Sequence, residues 1–243
     1  MTRRAHDPPY AGVAFDCDST LATIEGIEEL TRGNAEVAAL TAAAMDGVVP
    51  LEDVYGRRLE LVRPTRADVE RIGPAYVETA VAGAAELVAA LHFLGKRVAI
   101  VSGGLLPPVQ HLARHLGIED ALTRAVDIRF GPDGAYAGFD DASPLARRGG
   151  KTEVVRALFP DGDVVLVGDG ATDLEARDVC ARFVAFAGVE MRADVVAGAD
   201  RSVLEPDLAA LVPHLLSPGE IDRLAAASGA PFASLLARAG GTA

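Results

Sequence analysis

Cysteine, positive charge and long apolar runs are what this sequence has least of. Two of the 243 residues are cysteine, Cys17 and Cys180, too few for a disulfide framework or a four-thiolate zinc site. Lys and Arg total 23 against 35 Asp and Glu, a net charge of −12. That balance disfavours nucleic acid or an anionic membrane as the main partner, because each needs a basic footprint. A small anionic substrate stays open, since a few local cations can dominate one pocket. One of the most apolar stretches, 81–94, is interrupted by Glu86 and His92. No run reaches the ~18 residues of a membrane span. Arg3 and Arg4 are followed by no apolar segment, so no secretory signal is expected and the cytoplasm is the expected compartment.

What is present is a globular composition, 50% hydrophobic and 24% charged, long enough for one large domain or two unequal ones. Residues 12–16, 97–101 and 163–167 are short apolar runs ending at or before Asp, Ser or Gly, and 182–186 is a fourth candidate. Runs of this kind suit a parallel sheet covered on both faces. Helical patterns lie between them at 84–94, 107–116, 151–159 and about 172–180. The alternation predicts an α/β fold, a Rossmann-like parallel sheet sandwiched by helices. Two segments break it. Residues 27–80 read as helical throughout, an inserted cap, with Pro50 opening one helix, Pro64 closing it and Thr65 capping the next. Residues 125–139 read as a β-hairpin around Gly-Pro-Asp-Gly. The expected division is a core of 1–26 and 81–216, a cap of 27–80, and a partly helical Ala-rich tail of 217–243. Oligomeric state is left open.

The chemistry-bearing residues gather at strand ends. Asp16 and Asp18 close the first strand, and their two-residue spacing puts both on one side with Cys17 turned away. Two like charges so close call for a cation or a proton. The third strand ends in Gly168-Asp169-Gly170-Ala171-Thr172-Asp173. A dinucleotide loop would need glycine where Asp173 stands. Hard oxygen ligands from two strand ends suit Mg²⁺. Ser102-Gly103-Gly104 ends the second strand, where a hydroxyl and free N–H groups could hold a phosphate. Lys151 opens a helix after Gly149-Gly150, bringing positive charge to an anion-binding end. Leu145 stands where a P-loop would need its first glycine. Each of these, taken alone, is also readable as an ordinary polar turn or a solvated side chain.

Together, Asp16-Cys-Asp18-Ser-Thr, Ser102-Gly-Gly, Lys151 and Gly168-Asp169-Gly-Ala-Thr-Asp173 resemble the ordered motifs of the haloacid dehalogenase phosphatase superfamily. A narrower resemblance, to its phosphoserine phosphatase branch, is carried by Glu25-Gly-Ile-Glu-Glu-Leu, Ala44-Met45-Asp-Gly-Val-Val-Pro50, Tyr136-Ala-Gly-Phe-Asp140 and Gly149-Gly-Lys151. It covers most of 12–213 and not the tail. The resemblance implies hydrolysis of a small phosphorylated amino acid through an aspartyl-phosphate. Asp16 would be the nucleophile and Asp18 the general acid and base. Asp16, the Asp18 backbone carbonyl and Asp169 would hold Mg²⁺, supported by Asp173. Ser102 and Lys151 would hold the phosphoryl oxygens.

Substrate choice is expected from the cap. With 51–62 wound as a helix, Leu51, Val54, Tyr55, Leu59 and Val62 share a face, Arg58 falls inside that stripe and Arg57 outside it. An arginine on an apolar face either meets an anion or carries its head out to water. The resemblance gives Arg58 the substrate carboxylate and Glu25 the substrate ammonium, and puts Met45, Gly103 and Thr172 in the same pocket. Leu51 and Leu105 stand where relatives often carry Phe, which could reshape the pocket wall. His111 and His115 lack the acid that a metalloprotease helix would need, and read as surface or packing residues. Cys17 reads as a small buried strand residue. Other readings stay open: a phosphatase or phosphotransferase acting on another small phosphomonoester such as phosphohomoserine or phosphothreonine, with an alcohol such as homoserine as an acceptor, and a non-catalytic phospho-ligand sensor.

Overall fold

The computed structural model describes residues 5–30, 33–45, 48–49, 51–227 and 232–240. The apolar runs become strands because their side chains can be buried on both faces at once. β1 (Gly12–Phe15) is buried at every position. Val13 and Phe15 join one hydrophobic cluster and Ala14 the other, the two-residue alternation of a strand. Five helices follow: α1 (Gly26–Glu29), α2 (Ala35–Met45), α3 (Leu51–Val62), α4 (Arg66–Glu70) and α5 (Ile72–Glu78). No strand interrupts the described residues of 26–78. Thr65 and Asp68 cap α4 reciprocally, with backbone-to-side-chain bonds of 3.0 and 3.2 Å. Pro50 lies outside the described residues.

The chain continues through α6 (Ala84–Phe93), β2 (Arg97–Leu105), α7 (Leu106–His115), β3 (Thr123–Val126), β4 (Ile128–Phe130), β5 (Tyr136–Phe139), α8 (Gly150–Leu158) and β6 (Val164–Gly168). It ends with α9 (Ala171–Glu175), β7 (Arg182–Phe186), α10 (Ala193–Gly198), β8 (Arg201–Val203), α11 (Val212–Leu215), α12 (Pro218–Ala225) and α13 (Ala233–Gly240). The main sheet has six parallel strands in the order β3-β2-β1-β6-β7-β8. β4 and β5 pair antiparallel as a separate hairpin. β1 therefore lies between β2 and β6, where the winding direction reverses. Crossovers leave in opposite directions there and open a crevice at the carboxyl ends of β1 and β6.

Three sequence expectations need adjustment. β3 and β8 were not among the expected strands. They edge the sheet, carry Arg124 and Arg201, and are only partly buried, so no continuous apolar run marks them. Residues 125–126 belong to β3 rather than to the hairpin, which starts at Ile128. The helix expected over 172–180 stops at Glu175 and resumes as a 3₁₀ turn at Arg177–Val179.

Two layers of helices cover the sheet. On one face Val13, Ile100 and Val167 meet Ile72 and Tyr76 of α5, Leu87 and Leu91 of α6, and Leu112 of α7. On the other, Ala14, Val101 and Leu166 share a cluster with Val155 of α8, and that cluster extends to Tyr55 and Leu59 of α3. The tail belongs to the first layer, through Leu224, Phe232 and Leu235. Its α12 is tied down by an ion pair to a buried lysine, Lys96 Nζ to Glu220 Oε1 at 2.6 Å, and the same ammonium donates to the Tyr10 carbonyl at 2.7 Å. No helix among the described residues is long and apolar enough to cross a membrane.

Breaking that pair leaves the Lys96 ammonium buried without its carboxylate. Glu220→Gln should cost about 1–2 kcal/mol of stability, less than for a fully buried pair because Glu220 is partly exposed, read from urea unfolding. Burial raises the Glu220 pKa, but the Lys96 and Ser217 hydrogen bonds lower it further, so the folded value lies below the ordinary 4.5. The stabilisation is therefore complete above pH 4.5 and is lost as pH falls through the depressed folded value. The variant should lose the most stability relative to the parent at neutral pH and converge with it in acid. A constant difference across that window would remove Glu220 as its source.

Candidate active site

The site is assembled from loops at the carboxyl ends of β1, β2 and β6. The ladder runs one residue past β1: Asp16 N donates to the Val167 carbonyl at 2.9 Å. This places the Asp16 side chain, 2% exposed, in the crevice beside Asp169. The chain then turns tightly, with Leu21 N and Ala22 N both donating to the Cys17 carbonyl. Cys17 points away into the core, as the two-residue spacing predicts. Burial and then the charges of Asp18 and Asp16 raise its thiol pKa well above the ordinary value. It is a packed, protonated thiol rather than a reactive one.

Lys151 ties the carboxylates together. Its ammonium lies 2.7 Å from Asp16 Oδ2 and 2.7 Å from Asp173 Oδ1. Burial lowers its pKa, but the two carboxylates outweigh that and hold it raised, so it stays cationic. Local backbone explains the glycine before it. A side chain on Gly150 would meet the Pro144 carbonyl at 1.7 Å, so only glycine lets α8 start against that turn. Asp173 also caps its own helix, accepting from Gly170 N at 3.1 Å.

Asp169 ends β6. It accepts from Thr20 Oγ1 at 2.9 Å on one oxygen, and Arg192 reaches the other. Oxygens of Asp16, Asp169 and Asp173, all buried, lie within 4.8 Å of one another. Burial, and then the charge of Asp16, pushes Asp169 up to about 7 and raises Asp173 well above the carboxylate range. This is the signature of carboxylates crowded together without enough positive charge. A hard cation relieves it, and an all-oxygen donor set suits a metal of the magnesium or calcium type. The cluster fits a bound metal ion.

Asp18 has a different environment. Its Oδ1 accepts from Gly26 N at 2.8 Å and from the Tyr76 hydroxyl at 2.5 Å. Burial and the Asp16 charge push its pKa up to about 6, against the lowering effect of those hydrogen bonds and of Lys151. Ser102 is fully buried at the turn within β2, where its hydroxyl accepts from Gly104 N at 2.9 Å.

A pocket opens above these groups. It is lined by Asp16, Asp18, Lys151, Thr172 and Gly103–Leu105, and by Glu25, Ile27 and the α3 residues Tyr55 and Arg58. Arg58 is only 5% exposed and lies 5.3 Å from the centre of the Tyr55 ring. Burial lowers its pKa, while Tyr55, Glu25 and Asp18 oppose that. Arg57, by contrast, is exposed and pairs with Glu36 at 2.7 Å. Glu25 accepts from Ser19 Oγ at 2.8 Å, and burial, then Asp18 and Asp169, raises its pKa well above the ordinary carboxylate value.

Asp16, Asp18, Glu25, Arg58, Gly103, Lys151 and Thr172 thus line one pocket, with Ser102, Asp169 and Asp173 behind it. Leu105 lines it too. The side chains of Met45 and Leu51 lie outside the described residues. His111 packs against Gly73 of α5 and takes no part. Four participants were not singled out in the sequence as site residues: Thr20, Tyr55, Tyr76 and Arg192. Tyr55 had a signal, since it shares the α3 stripe with Arg58. Tyr76 and Arg192 sit in stretches without a motif and reach the site through tertiary packing alone.

Comparison with known proteins shows the family. Residues 10–177 match the family model of the haloacid dehalogenase-like hydrolases. Phosphoserine phosphatase of Mus musculus is 37% identical over 189 residues, 75% of this chain and 84% of that protein. The chloroplastic phosphoserine phosphatase of Arabidopsis thaliana is 37% identical over 196 residues, 77% of this chain and 66% of that protein. A solved structure described as a phospho-aspartyl intermediate analogue of phosphoserine phosphatase superposes with a TM-score of 0.73 at 26% identity, over 86% of this chain and 100% of that one. The chain belongs to the haloacid dehalogenase-like hydrolases and, within them, to the phosphoserine phosphatase family.

Proposed function

We propose that the protein hydrolyses O-phospho-L-serine to L-serine and inorganic phosphate through an aspartyl-phosphate on Asp16, with Mg²⁺ as its metal ion. The observation that carries the substrate is that Glu25 and Arg58 line the same pocket as Asp16, Asp18 and Lys151. A phosphorylated amino acid offers an ammonium, a carboxylate and a phosphate. The pocket offers an acid, a guanidinium and a lysine in one cavity. A sugar phosphate has no use for the first two. The names of the mouse and plant relatives support the same substrate.

The reaction has two displacements. Asp16 attacks phosphorus, and the bond from phosphorus to the serine oxygen breaks as Asp18 gives that oxygen a proton. Water then attacks phosphorus as Asp18 takes a proton from it, and the bond to Asp16 breaks to release phosphate. Bringing a carboxylate to a phosphate dianion costs roughly 5 kcal/mol for each like pair ~3.3 Å apart at an effective dielectric of ~20. Lys151, 2.7 Å from Asp16, offsets part of that cost and orients the phosphoryl group together with Ser102. Magnesium held by Asp16, Asp169 and the Asp18 backbone carbonyl, with Asp173 in support, would supply the remaining positive charge. A pKa pushed up to about 6 suits Asp18 to both halves of its work near neutral pH. The helices of 27–80 act as the cap in this reading, bringing Arg58 over the site.

Phosphate release should be fastest from O-phospho-L-serine among a panel with phosphothreonine, phosphohomoserine and a sugar phosphate. Asp16→Asn should abolish it. Preference for the sugar phosphate would remove the Glu25–Arg58 reading and leave the chemistry standing. Transfer to added homoserine or another alcohol, seen by product analysis, would make the protein a phosphotransferase. Arg58→Leu should raise KM for phosphoserine by about 10–100-fold, the worth of one hydrogen bond to a charged group. It should leave turnover of an aryl phosphate without a carboxylate nearly unchanged. Chelation should stop turnover and added Mg²⁺ should restore it; activity that survives exhaustive chelation would refute the metal assignment.

A further inference from the structure

Asp18 is held by a residue that no motif marks. Tyr76 of α5 is completely buried, 58 positions away in sequence, and its hydroxyl donates to Asp18 Oδ1 at 2.5 Å. Gly26 N donates to the same oxygen at 2.8 Å. The two donors are interlocked: a side chain on Gly26 would meet the Tyr76 hydroxyl oxygen at 2.2 Å. The other oxygen, Oδ2, faces Gly104. A side chain there would come 2.8 Å from Oδ2 and 3.2 Å from the Ser102 hydroxyl. One oxygen is therefore anchored by Tyr76 and Gly26, and the other lies on the side of Gly104 and Ser102, away from those two donors and next to a glycine that lines the pocket.

We propose that Tyr76 is a positioning residue for the hydrolytic reaction, which together with Gly26 fixes the rotation of the Asp18 carboxyl so that Oδ2 alone exchanges the proton. This rests on the reading of Asp18 as general acid and base. An oxygen that faces two donors accepts from both whether the group is carboxyl or carboxylate. A proton on Oδ1 would set donor against donor and displace one of them. A proton on Oδ2 leaves both bonds intact. Oδ2–H passes its proton to the serine oxygen as the ester bond breaks, and the resulting carboxylate Oδ2 takes a proton from the attacking water. The two anchoring bonds stay in place through both steps, and no proton leaves Tyr76. Without the hydroxyl, one backbone donor is left to hold a carboxyl that can then turn about its last torsion, which is broad for Asp.

The test is Tyr76→Phe, which keeps the ring in the core and removes one oxygen. For O-phospho-L-serine, kcat should fall by about 10–100-fold, part of the 10²–10⁴ that positioned acid–base catalysis supplies, with KM within about twofold. With p-nitrophenyl phosphate the leaving phenolate needs no proton. The first-turnover burst of p-nitrophenol should therefore stay near the parent rate while steady turnover, limited by water attack, falls with kcat. Gly26→Ala crowds the hydroxyl off Asp18 with Tyr76 present, and should copy this pattern if Tyr76→Phe fails to fold. Unchanged kcat in a folded variant overturns the proposal. So does a burst slowed as much as serine release, which marks a general structural role. If the parent protein releases no phosphate from phosphoserine but does give the burst, the substrate reading fails, and Tyr76 is judged on burst and steady phase alone.

Discussion

A single buried ammonium makes this site possible. Oxygens of Asp16, Asp169 and Asp173 lie within 4.8 Å of one another, and two unit charges at that distance repel by about 3.5 kcal/mol at an effective dielectric of ~20. Lys151 touches two of the three carboxylates at 2.7 Å each, and Arg192 reaches the third. Two cations meet three buried carboxylates, and burial, followed by the charge of Asp16, pushes Asp169 up to about 7. The shortfall fits a metal cation, and the phosphate dianion is met by the same lysine. Stability and chemistry thus draw on one charge balance.

The fold delivers that balance through its winding order. Because β1 lies between β2 and β6, the ends of three chain-distant strands open into one crevice. Asp16 comes from the first, Ser102 from the second and Asp169 from the third. α8 then brings Lys151 in from the side, and its approach depends on a glycine where a side chain would collide with the Pro144 carbonyl. The fully buried core beneath, from Phe15 to Val167, gives these loops a rigid base.

Two neighbouring aspartates acquire different tasks from their surroundings. Asp16 lies against Lys151, while Asp18 lies against Tyr76, Gly26 and the low-dielectric core. Burial pushes Asp18 up to about 6, so it holds a proton more readily than an ordinary carboxylate and can return it. Glu25 and Arg58 line the same small pocket as the two aspartates.

Much of this was legible in the sequence wherever the determining interaction is local. The buried strands announce themselves as apolar runs, Thr65-Arg-Ala-Asp68 as a capping box, and Asp16-Cys-Asp18 as two carboxylates on one side of an extended chain. Arg58 stands out because helical periodicity puts it on an apolar face. The edge strands β3 and β8 were hidden because an exposed edge needs no apolar run. Tyr76, Arg192 and the Thr20–Asp169 bond were hidden for another reason. They join residues 58, 23 and 149 positions apart, and no local pattern encodes such a distance. Residue chemistry and spacing decided which groups would stand at the strand ends. Strand order and helix packing decided which of them would touch, because those contacts form only once the sheet has wound in both directions from β1.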